Sequence, residues 1–269
     1  MRRFGVAAVQ LDAGTDWQAN LERAEALVVE AARRAARLVV LPEVFSWRGP
    51  AAEEAAHAEP IPGPTSEWAG ALARRLEIHL VAGSILEANG AGRPFNTSVL
   101  VRPDGVIAGR YRKIHLFDVD LPGRVTVRES DTRQGGGEPV TVATDLGVIG
   151  LSVCYDLRFP ELYRALTRAG AELVVVPSAF TFPTGAAHWE ILLRARAIEN
   201  QVYVIAPDQC GRSASGGLSY GHSMIVDPWG VPVARATDGE GIIVAEIDRE
   251  YVQRVRRELP CLDHVKLLP

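Results

Sequence analysis

The chain has 269 residues, 47% of them hydrophobic and 23% charged, a composition close to that of an average folded globular protein. That excludes a disordered, collagen-like or coiled-coil chain, and the length permits one sizeable core without requiring it. Twenty-nine Lys and Arg stand against 33 Asp and Glu, a net charge of −4, which argues against a general nucleic-acid binder, because such proteins place surplus cations on phosphates.

In chain order, GVAAV (5–9) reads as a buried strand. A helix follows from Asp16, a plausible N-cap, with Leu21, Ala24, Leu27 or Val28, Ala31 and Ala35 at helical spacing. ARLVVLP (36–42) is a second strand, a second helix runs from about Ser66 to Leu76, and HLVAGSIL (79–86) is a third strand. PDG (103–105) marks a hairpin turn between NTSVLV and VIAGRYR. The stretch 114–138 is long and polar, lacks a period and ends in GGG at 135–137; such an insertion in a compact domain is usually functional or mobile. GVIGLSV (147–153) is a strand, followed by a helix from Pro160 to Ala169 with Gly170 as its stop. ELVVVPS (172–178) is a strand, a fourth helix starts near His188 with Ile191, Ala195 and Ile198 on one face, and VYVIAP (202–207) is the next strand. DPWG (227–230) makes another turn, and from Asp248 an Arg-rich helix leads into LPCLDHVKLLP, a tail of the kind that packs on a partner subunit.

This alternation implies an α/β protein with a largely buried sheet covered by helices. ARLVVLPEVF (36–45) is echoed by AELVVVPSAF (171–180), and FGVAAVQ (4–10) by LGVIGLS (146–152). Two related βαβ halves around one core, with two sheets sandwiched between helices, account for the echo. No low-complexity linker divides the chain, so a single domain over 1–269 is expected.

The three cysteines, 154, 210 and 261, are widely spaced and form no CxxC or Cys/His ligand pattern, so neither a metal site nor a disulfide framework is expected. Reduced thiols fit a cytoplasmic protein. The opening MRRFGVAAVQLD is broken by Gln10 and Asp12 too soon for a secretory apolar region, and no apolar run reaches the ~20 residues of a membrane helix. Neither a GxGxxG after a strand nor a GxxxxGK[ST] supports a nucleotide cofactor.

Three residues combine into chemistry. Cys154 sits where a strand ends and a helix is about to begin, and open α/β sheets place ligands at strand carboxyl ends. Taken alone, a cysteine there is a small buried hydrophobe, but this one is followed at once by Tyr, Asp, Leu and Arg. Glu43 ends the LVVLP strand, where a carboxylate must be paired or used. Lys113, in YRKIHLFDVD (111–120), would by itself be a solvated surface charge. Together, a thiol, a carboxylate and an ammonium on one rim form a set for acyl transfer: base, nucleophile and oxyanion stabiliser.

LPEVF around Glu43, YRKIHLFD around Lys113 and SVCYDLRFPELYR around Cys154 closely resemble the three signature segments of the nitrilase superfamily of carbon–nitrogen hydrolases. The resemblance spans essentially the whole chain, including TGAAHWEILLRARAIENQVYV (184–204) and YGHSMIVDPWG (220–230). It implies a four-layer αββα sandwich of two mixed sheets flanked by helices, and a homodimer, or higher homo-oligomer, joined through a helical face. It also implies that Cys154 is the nucleophile, Glu43 the general base and Lys113 the oxyanion stabiliser, with the Tyr155 N–H as a second donor. Glu129, in VRESD (127–131), matches a further family glutamate that orients substrate and lysine. No cofactor or metal is implied; the partners are a small amide substrate and water, with neither nucleic acid nor membrane.

The forms CYDLRFPE, HLFDVDLPG and TGAAHWE look like the branch holding omega-amidases and deaminated-glutathione amidases, which act on monoamides carrying a carboxylate. Arg158 is a candidate for that carboxylate, with an ion pair to Glu161 as its structural alternative. Tyr155, Phe180, Thr181 and His188 are expected around the pocket. An N-carbamoyl or ureido-acid hydrolase would use the same triad, and a thiol redox sensor would use Cys154 alone. Cys210 and Cys261 are expected to be structural, and Arg194, Arg196 and Glu199 to form ion pairs on and around their helix.

Overall fold

Short β-branched runs alternating with amphipathic stretches produce, in a computed structural model describing residues 2–90 and 92–267, the following order. The first part contains β1 (Arg3–Gln10), α1 (Trp17–Arg33), β2 (Ala36–Val40), α2 (Pro64–Leu76), β3 (His79–Val81), β4 (Ile85–Asn89), β5 (Gly92–Val101) and β6 (Ile107–Arg112). Next come β7 (Asp118–Leu121), β8 (Val125–Arg128) and the single turn α3 (Glu129–Thr132). The remainder contains β9 (Val140–Thr144), β10 (Gly147–Leu151), α4 (Pro160–Arg168), β11 (Leu173–Val175), α5 (Phe182–Asn200) and β12 (Tyr203–Ala206). It closes with β13 (Met224–Val226), β14 (Pro232–Arg235), β15 (Gly241–Asp248) and α6 (Arg249–Glu258).

Two mixed sheets result. One has the order β15-β1-β2-β3-β5-β4 with β6 on β5, and the other has the order β14-β13-β12-β11-β10-β9. β1, β2 and β3 run parallel, as do β10, β11 and β12, which is why those strands are apolar on both faces. Successive side chains of β1 serve different layers. Val6 and Ala8 pack inward with Leu38, Val40, Ile149, Leu151 and Val175 across the sheet-to-sheet core. Ala7 and Val9 face outward onto Leu21, Ala24 and Val28 of α1 and Leu72 of α2. α4 and α5 cover the second sheet with Leu162, Leu166, Trp189 and Leu193, completing an αββα sandwich.

Several sequence expectations change at this level. The Asp16 cap holds, its carboxylate accepting from the Ala19 N–H at 3.0 Å, but Ala35 lies beyond the helix at φ 63, turning the chain into β2. α2 starts at Pro64 rather than Ser66, whose hydroxyl accepts from the Gly63 N–H. The stretch 79–86 is two strands, not one, because it bends at Gly83, φ +36. A Cβ there would lie 1.9 Å from the Pro42 carbonyl oxygen, so only glycine lets this bend pack on the segment carrying Glu43. The region 114–138 is structured: β7 and β8 pair only with each other, and α3 ends the hairpin. α5 starts six residues before His188, and its Ile191 and Ile198 point outward, 69% and 48% exposed, while Trp189, Leu193 and Ala197 face the sheet.

Candidate active site

Glu43 and Lys113 follow strands of the first sheet, β2 and β6, and Cys154 follows β10 of the second. The three meet because the loops beyond the strand ends are stitched together across the sandwich. The Glu43 N–H donates to the Ser178 carbonyl at 3.4 Å, and Gln209 Nε2 donates to the Glu43 carbonyl at 2.9 Å. The Cys154 N–H donates to the Pro177 carbonyl at 2.9 Å. Cys154 opens a 3₁₀ turn, Cys154–Arg158, with φ 48, a left-handed conformation that non-glycine residues adopt only when the surroundings enforce it.

Asp156 supplies much of that enforcement. It is fully buried and accepts from the Val153 N–H at 2.8 Å, the Tyr111 hydroxyl at 2.7 Å and the His115 N–H at 3.1 Å, with His115 Nδ1 2.7 Å away. One carboxylate thus clamps the turn of Cys154 to residues flanking Lys113.

The Lys113 ammonium, 2% exposed, donates to Glu43 Oε1 at 3.1 Å and to Glu129 Oε2 at 2.8 Å. Asn96 Nδ2 donates to the same Glu43 oxygen at 2.8 Å. Burial pulls the lysine downward, but the carboxylates of Glu129 and Glu43 outweigh it and hold the ammonium above its ordinary range. Burial pushes Glu129 upward, and Lys113 and Arg133 reverse this to about 2. The Cys154 thiol is pushed up, first by burial and then by the Glu43 charge, with Lys113 and the Ala179 N–H opposing. A resting thiol beside a carboxylate therefore needs that carboxylate as its proton acceptor. A redox-sensing cysteine has the opposite character, a depressed pKa and an open approach.

Cys154, Glu43, Lys113 and Glu129 line one cavity of about 860 Å³. Thr181 lines it too, whereas Tyr155, Arg158, Phe180 and His188 lie outside its wall. Arg158 instead sits 3.3 Å from His188 Nδ1 and against the rings of Tyr155 and Phe180, and His188 is exposed on α5. Arg158, four residues from Cys154 in sequence, thus points toward the helical layer. Arg194, Arg196 and Glu199 do form ion pairs on and around the helix, Arg196 with Glu199 and Arg194 with Glu190.

Several wall residues carried no sequence signal. Arg48, Arg124, Arg128, Arg133 and Arg212 join Lys113, making six cations against three carboxylates, Glu43, Glu54 and Glu129. Arg48 is reached from the loop after β2, its side chain 11% exposed, donating to the Ser219 hydroxyl, with Asp12 4.0 Å away. Among the described residues, no three His, Cys, Asp or Glu side chains are grouped as metal ligands.

The carbon–nitrogen hydrolase family matches residues 5–257, and the chain belongs to that family. It is 45% identical over 265 residues to the deaminated glutathione amidase of Homo sapiens, covering 96% of this chain and 81% of that one. It is 39% identical over 260 residues to the omega-amidase NIT2 of Danio rerio, covering 97% and 94%. Among solved structures, the C. elegans NitFhit protein matches with a TM-score of 0.92 at 40% identity over 99% of this chain, which spans 66% of NitFhit.

Proposed function

We propose that the chain is an amidase that hydrolyses a small carboxylate-bearing monoamide to acid and ammonia through a thioester on Cys154. The observation that carries the reading is the charge of the cavity. In a chain of net charge −4, six cations line it. The three carboxylates beside them are already engaged, Glu43 and Glu129 by Lys113 and Glu54 by Arg133. Of the remaining arginines, Arg48 has Asp12 at 4.0 Å and Arg128 has Asp131 at 3.7 Å, both carboxylates outside the wall, and with Arg124 and Arg212 beside them the field stays positive, as suits an anionic substrate. The names of the relatives, deaminated glutathione amidase and omega-amidase, support the same class.

In this mechanism Glu43 takes the thiol proton as the Cys154 sulfur attacks the amide carbon. The oxyanion forms beside the Lys113 ammonium, with the Tyr155 N–H as a further donor. The tetrahedral adduct collapses as Glu43 returns the proton to nitrogen, and ammonia leaves. Glu43 then deprotonates a water that attacks the thioester, and the sulfur departs with that proton to restore the thiol. Intact-mass spectrometry with a panel of monoamides tests this: a transient acyl adduct appears on the native chain and is missing in Cys154→Ala. The reading fails if no amide is hydrolysed and none forms an adduct.

Arg48 is the cation we assign to the substrate carboxylate, in place of Arg158. Arg48→Met is expected to raise KM for carboxylate-bearing monoamides about tenfold to a hundredfold, the worth of one charge-assisted hydrogen bond. Neutral amides should be nearly unaffected, and equal losses on both substrates would remove Arg48 from this role.

We further propose a cytoplasmic single-domain protein that pairs through the outer face of α5. Three free cysteines suit a reducing compartment. Ile191, Ile198, Trp229, Val231 and Val233 are all at least 45% exposed, and the turn at Gly230 abuts Ile198. An apolar patch of this kind marks an interface. Ile198→Glu is expected to shift the chain from dimer to monomer in sedimentation analysis, and an unchanged mass would place the interface elsewhere.

A further inference from the structure

Glu129 presents a mechanical puzzle. It must aim the Lys113 ammonium, yet it sits on a single helical turn at the end of the β7–β8 hairpin, whose strands pair with neither main sheet. An isolated two-stranded hairpin is marginal in water. The lysine itself is a point charge on a flexible four-carbon stem. Something outside the hairpin has to hold this turn.

Arg133, directly after α3, donates from Nη1 to Glu129 Oε1 at 2.6 Å. Its remaining edge grips Glu54 bidentately, Nη2 to Oε1 at 2.6 Å and Nε to Oε2 at 2.9 Å. Glu54 comes from the 3₁₀ segment Ala51–Ala56, beyond β2, and is the only buried residue of the six. Thr132 adds a hydroxyl bond to Glu54 at 3.1 Å. Glu129 Oε2, for its part, accepts from Lys113 and from the Phe117 N–H at 2.7 Å. The result is an alternating chain of charge, Glu54–Arg133–Glu129–Lys113–Glu43, running from an exposed loop to the general base.

We infer that Arg133 and Glu54 are a positioning pair for the reaction: they hold Glu129, and through it the Lys113 ammonium, in line with Glu43 and Cys154. The inference rests on the amidase reading of those residues. Stability alone gives little reason for the arrangement, because a buried ion pair gains little over apolar packing of the same volume. Its geometry, a guanidinium fork with one arm on each carboxylate, suits fixing direction.

The test compares Arg133→Met, which keeps the volume, with Arg133→Lys, which keeps the charge. Steady-state hydrolysis of a carboxylate-bearing monoamide is expected to show kcat falling about 100-fold in Arg133→Met, the scale of a misplacement of about an ångström. KM should stay within about threefold, and Arg133→Lys should recover about tenfold of the lost kcat. In parallel, iodoacetamide labelling followed by peptide mass should be about tenfold slower at Cys154 in Arg133→Met, with Cys261 labelling unchanged as the internal reference. Labelling needs no substrate, so a chain that hydrolyses no amide overturns the functional reading while this arm still reports on the relay. Glu54→Gln breaks the relay from its far end and should lower kcat in the same direction, which keeps the test available if Arg133→Met does not fold. The positioning role is overturned if kcat in Arg133→Met stays within about twofold of the native value. It is equally overturned if Met and Lys lose the same activity while Cys154 labelling is unmoved.

Discussion

Cys154→Ala is expected to lower amide turnover by at least about 10⁴-fold, and Glu43→Gln by about 10²- to 10⁴-fold, with both chains staying folded. The two numbers differ for a physical reason. In the proposed mechanism alanine removes the sulfur that forms the acyl bond, and neither Cys210 nor Cys261 lines the cavity. Glutamine keeps the shape of Glu43 and can still accept from Asn96 and Lys113, which both use the same oxygen. It cannot take a proton. The Cys154 thiol, raised by burial and by the neighbouring carboxylate, then has no acceptor for its hydrogen when it attacks. Measuring kcat/KM alongside the acyl adduct separates the cases: Cys154→Ala shows neither, and Glu43→Gln retains a thiol that strong electrophiles still modify. Amide turnover in Glu43→Gln within about tenfold of the native rate would assign proton transfer to another group.

Lys113→Met is the second large effect, and it strikes both stability and rate. Removing the ammonium takes away the proposed oxyanion partner, with an expected loss of about 10²- to 10³-fold in kcat. It also leaves the carboxylates of Glu43 and Glu129 facing a buried space with their shared cation gone, a change that costs about 3–5 kcal/mol. The pH dependence carries the sign. Glu129 is held near 2, below its ordinary value of 4.5, so the stability it contributes is fully present above 4.5 and is lost as pH falls from there toward 2. In Lys113→Met its pKa rises and most of that contribution is absent at every pH. The gap in denaturation midpoint between the two proteins is therefore expected to be widest at neutral pH and to narrow below 4.5. A gap that stays constant down to pH 3 would mean that Lys113 does not stabilise Glu129 as an anion.

Strand ends were the legible part of this sequence. LVVLP, GVIGLSV and the strand after the PDG turn are short, β-branched and bounded by turn residues, so the positions of Glu43, Cys154 and Lys113 at a common rim followed from topology. The β7–β8 hairpin is hard to read because its strands, DVDL and VTVR, alternate over only four residues each and, lying outside both main sheets, bury none of them. The cavity arginines escaped for a related reason: Arg48, Arg124, Arg133 and Arg212 come from loops, and a long side chain on a loop leaves no periodic trace of where its head group goes. Arg158 is a candidate only by standing four residues from Cys154, and the 3₁₀ turn directs it away from the cavity. The stripe of Ile191, Ala195 and Ile198 was correct as a helical face; burial of Trp189, Leu193 and Ala197 on the other side settled which face turns to the sheet.

Glu43 and Lys113 hang from one sheet and Cys154 from the other, with only the inner core of the sandwich between the two. The separation of the proposed base and nucleophile is therefore a layer thickness, set by side chains such as Val40, Leu151 and Val175 that do not line the cavity. Catalysis here behaves like a caliper whose jaws are two sheets and whose screw is hydrophobic volume. Selection on turnover must then act on the interior as firmly as on the cleft. Drift in the core is constrained by chemistry, while the helical exterior is free to vary with whatever it binds.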